Sequence, residues 1–125
     1  MKTKTIHYLI DEKHNVTPCD DIVIWASGFK HGFKQYGIVK QEKIQKRRWF
    51  AMWCGMFMLA RKPVLISTVF LGIDHNFGSG APILFETMVF GGKHNGFQQR
   101  YSTWREAVYG HEVVKKKVLG KANRT

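Results

Sequence analysis

Two stretches of this chain are apolar at almost every position. Residues 64–74 (VLISTVFLGID) and 83–90 (ILFETMVF) are rich in β-branched and aromatic side chains and flank eight residues that include Gly78, Gly80 and Pro82. That composition predicts the central hairpin of a sheet, with a long loop. Because polar residues do not alternate with the apolar ones, both faces of these strands are expected to be covered. Asp74 and Glu86 interrupt the pattern, and a carboxylate in such a strand has to be paired or hydrogen-bonded. The two share a face only if paired residue numbers in the hairpin sum to an even number.

Period-2 alternation recurs in residues 3–10 (TKTIHYLI), which predict an edge strand closed by a polar turn. It recurs in residues 36–45 (YGIVKQEKIQ), with Ile38, Lys40, Glu42 and Ile44 on one side and Val39, Gln41, Lys43 and Gln45 on the other. Between them, Ile22, Trp25, Ala26, Phe29 and Phe33 have helical spacing. They predict a helix capped by Thr17, with Pro18 in its first position, ending near Gly32. Residues 97–101 predict a short last strand or the approach to one. Trp104, Ala107, Val108, His111, Val114 and Val118 then mark a second helix, capped by Ser102 or Thr103, with Glu106 completing a capping box. Residues 49–60 (WFAMWCGMFMLA) fit either a buried strand kinked at Gly55 or a short helix, with strand preferred. The expected fold is α+β: one domain, residues 1–118, with a mostly antiparallel four- to five-stranded sheet and two helices on one face. A basic, flexible tail, residues 119–125, is expected to follow.

The length of 125 residues fits one domain, and 44% hydrophobic with 14% aromatic residues excludes a disordered chain. The longest apolar run, residues 49–60, is too short to span a membrane, so no membrane partner is expected. No secretory pattern opens the chain, which makes the cytoplasm the expected location. Cys19 and Cys54 form no CxxC pair and read as reduced, packed thiols; no cofactor is implied. Charge changes the picture. Of a net +11, residues 30–48 contribute seven Lys and Arg against one acid, and residues 115–125 contribute five against none. Two such blocks point to surfaces that meet an anionic partner, either nucleic acid or an acidic protein surface.

The candidate nucleic-acid-binding residues are Lys40, Lys43, Lys46, Arg47, Arg48, Trp49, Lys115, Lys116 and Lys117. Arginine beside an aromatic ring can hold a phosphate and stack a base together, although lysines guarding a sheet edge explain Lys40, Lys43 and Lys46 equally. A second candidate group is polar. His111, central in an apolar stripe, is either a satisfied core histidine or part of a site under the helix. Asp74 and His75, at the mouth of the loop, form either a strand-ending turn or, with Glu86 and His111, an acid/base or metal site. No H-E-x-x-H or H-x-H spacing supports a metal.

Three stretches, ISTVFLGIDHNFG (66–78), GAPILFETMVFGG (80–92) and RYSTWREAVYGHEVV (100–114), together with PCDDIVIWASGF (18–29), resemble a family of small bacteriophage and prophage proteins. The resemblance implies a phage setting and a shared fold, without a reaction. It places the family's polar marks on Asp74, His75, Glu86, Arg100, Tyr101 and His111, and residues 46–62 depart from its pattern. The expected function is a phage-type accessory protein of the infected cell's cytoplasm that engages nucleic acid, or a complex handling it, through basic surfaces. One alternative is a protein–protein inhibitor of a host defence factor. The other is an acid/base or metal-dependent enzyme at Asp74, His75, Glu86 and His111.

Overall fold

The computed structural model describes residues 5–44 and 63–120, and in residues 29–35 the backbone alone. The elements run β1 (Tyr8–Ile10), β2 (Val16–Pro18), α1 (Ile22–Tyr36), β3 (Ile38–Ile44), β4 (Val64–Phe70), β5 (Phe85–Phe90), β6 (Gln98–Tyr101) and α2 (Trp104–Leu119). The α+β class is as expected: β3-β4-β5-β6 form an antiparallel sheet, β1-β2 form a separate ribbon, and both helices pack against this framework.

Register explains the core. Ile44 pairs with Val64, Leu65 with Phe90, and Phe85 with Tyr101. Alternation then aligns Lys40, Glu42, Ile66, Thr68, Phe70, Phe85, Thr87, Val89 and Tyr101 on the face beneath α2. Two apolar clusters occupy that face, one around Phe70, Leu84, Phe85, Tyr101 and Ala107, the other around Ile66, Val89 and Val114. The Thr68–Thr87 pair lies between them. The opposite face carries Gln41, Ser67, Glu86, Gln98 and Arg100 among Leu65, Val69 and Met88. It is thus more polar than the apolar runs led one to expect, and Leu65, Val69 and Met88 are only half-buried.

The helix α2 begins where its cap was expected, with the Thr103 hydroxyl accepting the Glu106 N–H. It ends at Gly120 in the left-handed conformation, φ 73°. The buried stripe is Ala107, Gly110, His111 and Val114, while Val108 is exposed. Gly110 has a steric reason: a Cβ there would overlap the Tyr101 ring.

The N-terminal third departs most from expectation. Residues 5–10, the described part of the expected first strand, do not supply an edge strand of the main sheet. Only Tyr8–Ile10 is a strand, paired with Val16–Pro18 and joined to the sheet side by a His7–Ile73 bridge. Thr17 and Pro18 lie in β2, so neither starts the helix. Asp21 caps α1 instead, its carboxylate accepting the N–H groups of Val23 and Ile24. The helix runs to Tyr36, past Gly32, and Ile22 and Ala26 are exposed. Trp25 is the anchor, donating its indole N–H to the Gly72 carbonyl at 3.1 Å and packing against His7. A bulge between Ile38 and Lys40 takes Ile38 off the face it was expected to share with Lys40. The expected element at residues 49–60 lies outside the described residues, as do Lys46, Arg47, Arg48, Trp49 and Cys54.

Candidate functional site

The residues that attracted attention as one polar cluster divide among three places. Asp74 lies beyond the end of β4, buried, where its carboxylate accepts the N–H groups of Asn76 at 2.7 Å and Ile83 at 2.9 Å. It closes the long hairpin loop, the turn reading of this acid. His75 follows it, half-buried, its own N–H bonded to the Ile83 carbonyl. Paired numbers in the β4–β5 ladder sum to 155, an odd number. The register therefore sends Glu86 to the face away from α2. There it accepts the Arg100 Nε–H at 2.9 Å and the Gln98 amide. Tyr101 and His111 are on the α2 face, and burial pushes the Tyr101 phenol above its ordinary 10.0, opposed by the neighbouring Thr87 hydroxyl. Asp74, Glu86 and His111 do not converge.

His111 has partners that the sequence pattern did not single out. Its Nε2 is 3.2 Å from Glu42 Oε1 and its Nδ1 is 2.7 Å from Thr68 Oγ1, which lies 2.6 Å from Thr87 Oγ1. The charges on Lys115 and Lys40, at 2.7 and 2.8 Å, hold the Glu42 carboxyl down at about 2. Ionised, Glu42 only accepts, so Nε2 carries the proton and donates. Nδ1 then accepts from the Thr68 hydroxyl, whose oxygen accepts from Thr87. Burial lowers the imidazole below its ordinary 6.5 against the pull of Glu42, which keeps the ring neutral. The order Thr68, His111, Glu42 imitates a nucleophile, a base and its orienting carboxylate. Thr68 and His111 are both 0% exposed, however, and no substrate reaches the hydroxyl. This is a satisfied polar core, the first of the two readings for His111.

The described members of the basic set separate as well. Lys40 is engaged by Glu42 and Glu112, which raise its pKa, and Lys115 by Glu42. Lys43 lies on the opposite face of β3. Lys116 is exposed, and the Lys117 ammonium sits 4.1 Å from the centre of the Phe97 ring. Between β6 and α2 a groove of about 370 Å³ is lined by Phe97, Gln99, Tyr101, Tyr109, Val113 and Lys117, with Glu106 at its far end. The hydrophobic pattern gave no sign of it, because Tyr109 and Val113 fall outside the apolar stripe. Among the described residues, no three His, Cys, Asp or Glu are grouped to hold a metal ion, and no helix is long and apolar enough to cross a membrane. Compared with protein-family models, curated proteins and solved structures, the chain matches none.

Proposed function

We propose that this protein is a non-enzymatic binding protein whose basic segments engage nucleic acid, in the phage setting that the resemblance implies. The distribution of charge carries this reading. The described residues hold eleven Lys and Arg against nine Asp and Glu, whereas residues 1–4, 45–62 and 121–125 hold nine basic residues and no acid. Six of the nine acids hold lysine, arginine or backbone N–H groups within the described fold. Glu42 and Glu112 hold Lys40 and Lys115, Glu86 holds Arg100, and Asp11, Asp21 and Asp74 bond backbone N–H groups. The basic excess of those segments is the feature that favours phosphates. Burial of Thr68 and His111 argues against the enzyme alternative.

Fluorescence anisotropy with single- and double-stranded DNA and RNA tests the reading. Binding should weaken about 10³-fold between 50 and 200 mM salt if some six phosphates are neutralised. The Arg47→Ala, Arg48→Ala double variant should weaken it by about tenfold or more and reduce the salt slope. Equal, weak binding of every polymer that disappears at the higher salt would make the charge a nonspecific property and end the proposal.

A further inference from the structure

The groove beside β6 belongs neither to the polar core nor to the basic segments. The ladder to β5 determines what β6 has left to offer. Val89 donates its N–H to the Phe97 carbonyl, and Thr87 pairs with Gln99 in the same register. The Phe97 carbonyl and the backbone groups of Gln99 and Tyr101 thus turn towards β5, while the Phe97 N–H closes a turn onto the His94 carbonyl, and the backbone groups of Gln98 and Arg100 point outward. No described strand pairs with that outer edge. The same alternation aims the side chains of Phe97, Gln99 and Tyr101 at α2, where they floor the groove. An open strand edge and an apolar trough therefore run side by side, the arrangement that accepts an added strand: the backbone pairs along the edge, and alternate side chains enter the trough.

Charge decides the occupant. Lys117 stands at the Phe97 end of the groove and Glu106 at the Tyr101 end. A strand running antiparallel to β6 brings its first residues to Glu106 and its last to Lys117. A second copy of this chain is a poor candidate, because two molecules of net charge +11 repel each other. We infer that the β6 edge and the adjacent groove bind an extended peptide segment as a fifth strand of the sheet. That segment is apolar at alternate positions, basic at its start and acidic at its end.

The probe is a fluorescein-labelled octapeptide with lysine first, three valines alternating with two threonines, and two glutamates last. Saturable anisotropy is expected with the full chain. Gln98→Pro removes an outward N–H without touching the β5 ladder, a place where an edge strand tolerates proline, and should weaken binding about tenfold or more. Gln98→Ala should stay within about twofold of the parent. Val113→Asp, on the groove wall at a 46% exposed position, is the second variant. It should weaken binding by about tenfold while leaving the circular dichroism spectrum unchanged. A peptide with its charged ends exchanged should bind about fivefold more weakly. The proposal is overturned by equal binding to Gln98→Pro and Gln98→Ala, or by no saturation up to about 1 mM. It is also overturned by a concentration-dependent dimer that Gln98→Pro abolishes, which would assign the edge to a second copy.

Discussion

His111 ties the stability of the fold to pH through its own proton. The unfolded chain binds that proton with an ordinary pKa of 6.5, while burial lowers the value in the folded state. Between the two values the unfolded state holds more protons, so stability is full above 6.5 and declines as pH falls below it. Glu42 acts in a second window with the same sign. Its folded value of about 2, against an ordinary 4.5, contributes stability above 4.5 that is lost as pH falls towards 2. Melting temperatures measured from pH 8 to pH 3 should begin to fall below 6.5 in the parent, and His111→Gln should flatten that upper window while leaving the lower one. A parent melting temperature unchanged between pH 7 and pH 5 would contradict the neutral, buried imidazole. The position of His111 in an apolar stripe was legible in the sequence. Its partners were not, because Glu42 and Thr68 reach it only through the register of β3 against β4, which no local pattern specifies.

At the scale of elements, legibility followed the length and regularity of the pattern. Strands β4 and β5 and helix α2 lie where their apolar runs and helical spacing put them, and α2 has a cap whose hydroxyl and N–H are three residues apart; β6 lies within the short stretch expected for it, although QQRY has no apolar signature of its own. The start of α1 was misplaced because Thr17-Pro18 has the chemistry of a helix start, whereas pairing of β2 with β1 holds both residues extended. Asp21 supplies the same chemistry four residues later. Substitution separates the two assignments: Asp21→Ala should cost about 1 kcal/mol of unfolding free energy in urea, and Thr17→Ala, exposed in β2, less than about 0.5 kcal/mol. The reverse order would restore Thr17 as the cap.

For the molecule as a whole, the basic 45–62 segment is the place to separate folding from charge. The described buried clusters and the Thr87–Thr68–His111–Glu42 chain lie in residues 5–44 and 63–120, and Lys46, Arg47, Arg48, Arg61 and Lys62 are the basic residues of the 45–62 segment, outside the described residues. Replacing these five by glutamine should change nucleic-acid binding and stability to very different extents. Each lost phosphate contact lowers the slope of log affinity against log salt by about 0.9 for duplex DNA, so a variant missing several contacts loses most of its salt dependence. Its melting temperature should stay within about 3 °C of the parent, the scale of surface changes that leave the core intact. A parallel collapse of melting temperature and affinity would mean that these residues support the fold, and that their charge alone cannot be taken as the signature of a nucleic-acid surface. Unchanged affinity with unchanged stability would shift the search to Lys43, Lys116 and Lys117, the described lysines of the candidate set that form no salt bridge with another described residue.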